Sequence, residues 1–559
     1  MFADPQFLMS CALFLPVLWG LGLFGFPSRA VSAIRWYALA GACCELAITV
    51  QLAGVALGWI DASPAVNASA TSLRNDILLG MSLPWIPTWN VNYSLGVDGF
   101  SLPLILLTSL IFALSIVASW SIKTHIRGFL FLLLLLETGV MGVFLALDFF
   151  LFFVMWEVML LPMYFLIGLW GGPRREYAAI KFFLYTLAGG VCLLMAMLMV
   201  YSASGGSFDL LELARMAQGQ APQPGMDLDQ GMALTAAMGD TSLQWRVFVL
   251  LLIAFLIKLP AVPLHTWLPD AHVEAPTPVS MILAGILLKL GGYGFLRIAI
   301  PICPLGFAEW AWFMVALGVF CVLYGALAAL AQSDFKRLVA YSSVSHMGYV
   351  LMGLGAFRFQ ELTGAVLNPD FSTMGLSAAT FQMVAHGIVS AGMFFVVGVL
   401  YDRVKHRDLR QFGGIASLQP HFSAIAAGIF FAGLGLPGLC GFIGEAFSIF
   451  SVWHVDRFFS VGGALGMILT AGYILWALQR VYLGPTYTGP NREYLTEINF
   501  REYTVGYLLL AFAIGLGVYP AIALNVIEPA SRQLVQQISG SQERQLSLNR
   551  ASIESPLDK

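Results

Sequence analysis

The chain reads as an all-α polytopic membrane protein of about 14 transmembrane helices, with two inverted five-helix repeats in which helices 7 and 12 are broken. Three observations predict this. Of 559 residues, 59% are hydrophobic and only 11% charged, with a mean hydropathy of +0.81, whereas a soluble domain is nearer a quarter charged. Apolar runs of about 20 residues, long enough to cross the hydrocarbon core, recur along the whole sequence. Two of those runs are interrupted, at LPAVP (259–263) and within GLGLPGLCGFIGE (433–445). Backbone freed by such a break survives at membrane depth only where protein or a water-filled cavity covers it.

The runs place helices 1 to 6 near 7–25, 34–58, 98–120, 128–147, 149–169 and 178–201. Helices 7 to 10 fall near 247–268, 278–300, 308–330 and 336–356, and helices 11 to 14 near 378–401, 422–450, 460–481 and 503–527. Residues 1–127 then form an N-terminal three-helix region with an external loop. Two breaks five helices apart fit two five-helix units, which the resemblance named below places over 128–300 (helices 4–8, with an insertion at 202–245) and, inverted, over 308–481 (helices 9–13). Helix 14 at 503–527 and a polar tail, 531–559, complete the chain. The start, MFADPQFLMS, has no basic n-region, so the first run reads as a retained helix and not a cleaved signal. The tail reads as mobile, the 202–245 insertion as flexible and dispensable, and 59–97 as an external cap.

Basic residues crowd the loops after odd helices, among them Arg29, Arg35, Lys123, Arg127, Lys336 and Arg407. Loops after even helices hold only Arg74, Arg215, Arg246, Arg297, Arg358 and Arg457 before the tail. The positive-inside rule puts the odd loops in the cytoplasm and both termini outside. Cysteines 11, 43, 44, 192, 303, 321 and 440 form no CxxC and no cluster spacing, so they read as small apolar residues. No haem, cluster or nucleotide motif occurs, the histidines lack metal-ligand spacing, and nothing points to nucleic acid.

Against this background two lysines stand out. Lys258 and Lys289 lie inside apolar runs, and each costs roughly 2.5–3.5 kcal/mol to insert at a bilayer centre. Pro260 and Pro263 follow Lys258 at once and break its helix. Glu157 lies mid-helix 5, Glu445 closes the break in helix 12, and Glu137 follows a leucine run in helix 4. His346 and His386 lie in helices 10 and 11, and His265 in the break of helix 7. Such groups in lipid mark ion or proton paths. Desolvation disfavours charge while a nearby opposite charge favours it, so a movable Glu/Lys pair can take up and release a proton. Glu157, Lys258, Lys289 and Glu445 are the expected stations, with Glu137 as a weaker candidate, and His265, His346 and His386 the expected bridges. His272 and Glu274, in a Pro-rich turn, read as capping or interfacial, and Glu45 has no evident partner.

Four stretches carry a resemblance. WEVMLLPMYFLIGLWGG, KLPAVPLHTWLPDAHVEAPTPVSMILAGILLKLGGYG, AQSDFKRLVAYSSVSHMGYVLMG and AHGIVSAGMFFVVGVLYDR closely resemble the antiporter-like membrane subunits of respiratory complex I. The specific match is the type called M in bacteria, over about 96–484. The resemblance implies a proton-pumping subunit in the membrane arm of NADH:quinone oxidoreductase, with helices 4–8 and 9–13 as the repeats. It carries key roles onto Glu157, Lys258, Lys289 and Glu445, the last of which is a lysine in L and N type relatives. It implies no cofactor in this chain, since NADH, FMN, Fe–S clusters and quinone belong to other subunits. It further implies L and N type neighbours, a bacterial inner-membrane location, and no long lateral helix of the L type. A Mrp-type Na⁺/H⁺ antiporter subunit and the membrane subunit of an energy-converting hydrogenase are the competing relatives. A passive scaffold or proton channel would need no switchable Glu157–Lys258 pair.

Overall fold

The computed structural model describes residues 4–60, 77–220, 228–360 and 365–554. Arg74, part of the external-cap segment and the Gln/Pro-rich centre of the insertion lie outside the described residues. Within them, 12 helices are long and apolar enough to cross a membrane. Expected helix 10 is Phe335–Leu354, and expected helix 12 is a pair of shorter apolar helices, Pro420–Leu434 and Cys440–Val452.

Polar caps set the helix starts. Asp148 accepts from the amides of Phe150 and Leu151 to open helix 5, Asp240 opens helix 7, and Asp334 opens helix 10. Asn499 and Glu502 form a reciprocal capping box ahead of Phe500–Val518. Because Asp240 lies in polar sequence, helix 7 begins several residues before its expected start.

Several expectations need correction. The chain is not purely helical: Ile77–Ile86 and Val91–Asp98 pair as an antiparallel hairpin. The hairpin docks on the start of helix 5, where Leu147 N–H donates to the Ser94 carbonyl and Asn92 N–H to the Asp148 carboxylate. The described parts of the 202–245 insertion are built: Leu210–Ala217 and Leu228–Met238 are helices, and Gln244 donates to the carbonyls of Ala217 and Met238. The tail is helical over its described residues. Helix 14 stops at Val518, and a second helix runs over Ala521–Glu554. It buries Leu534, Val535 and Ile538, and its residues bond the backbone of Val366 and Pro304. It therefore lies over the starts of helices 9 and 11 at one end of the bundle. Polar composition hid the apolar stripe that packs there.

The breaks sit where expected. Helix 7 runs Thr241–Lys258, opens, and resumes over Trp267–Glu274. The Trp267 indole donates to the Ile257 carbonyl, and Val262 N–H to Cys321 Sγ, so the opened backbone finds partners inside protein. Helix 12 opens between Leu434 and Cys440. Helix 8, Thr277–Ile302, is buried throughout and carries π-turns at Leu283–Leu287 and Phe295–Ala299, one on each side of Lys289. Such bulges accompany functional sites.

Candidate proton-relay site

Helices 8 and 11 meet at glycines. A Cβ on Gly387 would lie 2.8 Å from the Gly285 carbonyl oxygen, so no other residue permits this approach. The contact places Lys289 opposite His386. Lys289 Nζ bonds His386 Nδ1 at 2.8 Å and, across the widened π-turn, the Ala284 carbonyl at 2.5 Å. The His386 and His346 rings lie 5.5 Å apart between centroids. His346 Nδ1 then meets Glu445 Oε1 at 2.8 Å. All four side chains are buried, with Lys289 and Glu445 at 0% exposure, and the Nε2 of each histidine has no partner. Lys289, His386, His346 and Glu445, assigned separately from four parts of the sequence, thus form one run through the interior. The buried Tyr349 and Tyr473 hydroxyls lie within electrostatic reach of Glu445.

The Glu157–Lys258 pair is arranged differently. Lys258 Nζ lies 5.1 Å from the Trp156 ring centroid and 6.0 Å from that of Phe182, and has no hydrogen-bond partner. Aromatic faces support the cation here without fixing it. Glu157 is within its electrostatic reach, yet Oε1 is also unpartnered, so the two groups stand apart. Glu157 occupies a niche left by Gly190, whose Cβ would fall 2.0 Å from Oε1. Glu445 sits in a matching niche at Gly435, where a Cβ would come within 2.7 Å of Oε2 and φ is +78°. No hydrogen bond joins Lys258 to Lys289 among the described residues, so a proton passing between them needs water.

Two expected members fall elsewhere. His265 lies edge-on to Tyr324 at 5.2 Å, with its Nδ1 unpartnered and Lys181 in electrostatic reach. It joins none of the four-residue run. Glu137 is fully buried with neither oxygen partnered, and its charged neighbour is Glu45 of helix 2, which gives that unassigned residue a counterpart.

Sequence reasoning missed three groups. His272, expected at an interface, is 0% exposed, stacks on Phe394 at 4.2 Å, and leaves both ring nitrogens unpartnered. It stands in electrostatic reach of both Lys289 and Lys336. Lys336, counted with the loop cations, is buried and donates to the Ala275 carbonyl. Arg297, also counted in a loop, lies within helix 8 and pairs with Asp98 at 2.7 Å. Only tertiary packing closes over these residues; His272 and Lys336 sit beside prolines or charges that read as surface, whereas Arg297 lies in the apolar run FLRIAIPI.

Comparison with known proteins now bears on the site. The family model "NADH:quinone oxidoreductase/Mrp antiporter, TM" matches residues 146–470, which include every member of the run and both breaks. The chain belongs to this family. A second model, "NADH-ubiquinone oxidoreductase chain 4, amino terminus", matches 66–143. NADH-quinone oxidoreductase subunit M of Rhodobacter capsulatus is 37% identical over 452 residues, covering 81% of this chain and 83% of that one. Among solved structures, a chain of respiratory complex I from Thermus thermophilus superposes with a TM-score of 0.78 at 26% identity, over 95% of this chain and 99% of that one. A chain of the Mrp complex from Dietzia sp. superposes at 0.72 with 21% identity, over 95% and 99%, which shows a shared fold.

Proposed function

We propose that this chain is the M-type proton-translocating subunit of a bacterial NADH:quinone oxidoreductase, moving protons through the Glu157, Lys258, Lys289, His386, His346 and Glu445 side chains. The observation that carries the reading is the buried Lys289–His386–His346–Glu445 run, in which both terminal contacts are 2.8 Å. Ionisable groups are rarely placed in such surroundings without a transport role. The chain-4 match in the N-terminal region and the subunit M relative favour this reading over the Mrp-type antiporter.

On this reading Lys258 gains a proton when Glu157 approaches and passes it through water when Glu157 withdraws, while Lys289 feeds the two histidines. His272 and Lys336 extend the run toward the end rich in basic loops, taken as the cytoplasmic side and the side of proton uptake. Fourteen crossings, with Phe335–Leu354 as helix 10 and Pro420–Val452 as a broken helix 12, leave both termini outside. Breaks in helices 7 and 12, five helices apart, support two inverted repeats. NADH, flavin, Fe–S and quinone chemistry resides in other subunits, and L and N type subunits are the neighbours. The test is proton pumping by the reconstituted complex carrying Lys289→Ala. Pumping should be lost in an assembled complex, and retention of the normal proton-to-electron ratio would remove Lys289 from the path.

A further inference from the structure

We infer that the loop between helices 3 and 4, with the starts of helices 2 and 14, binds the phosphate of an anionic membrane lipid. Arg35 and Arg501 both lie over Trp120, at 5.8 and 5.5 Å from its ring centroid. Two guanidinium groups gathered at one ring repel each other, and neither has a carboxylate within ion-pair distance among the described residues. Arg35 Nη2 donates to the Ile122 carbonyl at 2.7 Å, but its Nε is buried with no acceptor. A buried donor on a charged group calls for an acceptor, and between two cations the favoured acceptor is an anion.

Further cations flank this pair. Lys123 and His125 are exposed, and Arg127 lies over Phe24 at 5.4 Å while giving Nη1 to the Phe26 carbonyl. Lys123, His125 and Arg127 line one open cleft together with Ser28 and Phe24. None forms an ion pair within the described chain. Elsewhere on this end several cations do have carboxylate partners. There Arg403 holds Glu502, Arg407 holds Asp334, Lys181 holds Asp270 and Arg174 reaches Glu274.

A lipid, and not free phosphate, fits what surrounds the charges. Trp36 packs edge-on to Trp120 at 5.6 Å, and the Trp170 indole donates to the Thr124 carbonyl. Aromatic rings at this level mark the headgroup zone. Immediately beyond, helix 1 exposes Leu18, Leu21 and Phe24, at 61, 52 and 51%, an apolar wall for acyl chains. Arginine presents the fork that phosphate oxygens match, and basic pockets between membrane helices bind anionic headgroups.

The experiment is retention of phosphatidylglycerol by the whole complex in neutral detergent, counted by native mass spectrometry, so its readout does not depend on proton transfer. One tightly held phosphatidylglycerol should survive competition by phosphatidylcholine and by inorganic phosphate. Each cation removed should weaken retention roughly fivefold, about the worth of one basic residue at a membrane surface. Arg35→Gln with Arg501→Gln tests the pair. Lys123→Gln guards against misfolding, since that side chain is exposed and makes no hydrogen bond or ion pair. Equal retention of phosphatidylcholine, displacement by inorganic phosphate, unchanged retention in the variants, or a neighbouring subunit found seated on Lys123 would each overturn the inference.

Discussion

His386 is the hinge of the proposed relay, and its replacement gives the sharpest test. Its Nδ1 is the only side-chain partner of Lys289 Nζ among the described residues, at 2.8 Å, and its ring lies 5.5 Å from that of His346. Removing one partner of a buried hydrogen bond to a charged group costs about 1.5–3 kcal/mol, equivalent to about 10- to 150-fold in the population of the connected state. His386→Ala should lower coupled turnover within that range and leave Lys289 with the Ala284 carbonyl alone. His386→Gln separates two roles, because the amide can still accept from Lys289 yet cannot carry a proton onward. The assay is quinone reduction together with proton uptake in proteoliposomes, after assembly has been checked. Both variants should assemble, and in both coupled pumping should fall at least that far. A His386→Gln complex that pumps at the normal proton-to-electron ratio would refute a relay through this ring.

Lys258→Arg should fail although it keeps the charge, because arginine stays protonated; the combined loss from Lys258→Ala and Glu157→Gln should be far below additive in turnover, and additive losses would show independent action. Gly190→Ala puts a Cβ 2.0 Å from Glu157 Oε1 and should cut turnover on the order of tenfold or more. Gly189→Ala, whose Cβ would meet nothing nearer than 3.4 Å, is the control and should be near normal. Burial pushes Asp148 up to about 6, with Asp209 adding to it and the amides of Asn92, Leu151 and Phe150 opposing it. A carboxyl raised in the folded state contributes stability that is full below its unfolded value, about 4, and is lost as pH rises through about 6. Protection of the hairpin should therefore fall by up to about 3 kcal/mol between about pH 4 and about pH 8, and Asp148→Asn, which offers one oxygen to three amide donors, should flatten that slope while lowering protection at about pH 4. Hydrogen exchange at Ser94 and Leu147 reads this, and the same pH slope in the Asp148→Asn protein would reverse the assignment.

What the sequence made legible follows from cost. A lysine or glutamate inside an apolar run is expensive enough to be seen without a structure, so Glu157, Lys258, Lys289 and Glu445 were read directly. Prolines 260 and 263, and Pro437 among glycines, marked the breaks for the same reason, since each removes a backbone donor. His272 and Lys336 escaped because they lie beside prolines or charges, and only the packing of Phe394 and of the Ala275 carbonyl reveals their burial. His265 differs in the opposite sense: its place in the break suggested a bridge, and the chain sets it edge-on to Tyr324, outside the four-residue run. The terminal helix was lost to an average. A 34-residue helix whose described side chains bury one stripe has the composition of a mobile tail, and periodicity, not composition, carries the signal.

The two halves of the site are held in opposite electrostatic conditions. In the first, Lys258 rests on aromatic faces and Glu157 keeps an oxygen without a partner. In the second, Glu445 and His346 are in hydrogen-bond contact, as are His386 and Lys289. Both carboxyls nevertheless sit in the same kind of niche, against a glycine that leaves no room for a Cβ. Similar niches with different partners are what a relay requires, since a proton moves only between sites whose affinities differ and can be exchanged. An approach of Glu157 to Lys258 would strengthen the cation there and repel the proton held at Lys289. The histidines are the groups able to take that proton toward Glu445. The proposed direction of transfer thus follows from which of the two pairs is open, and Lys258 and Glu445 each border a broken helix, 7 and 12.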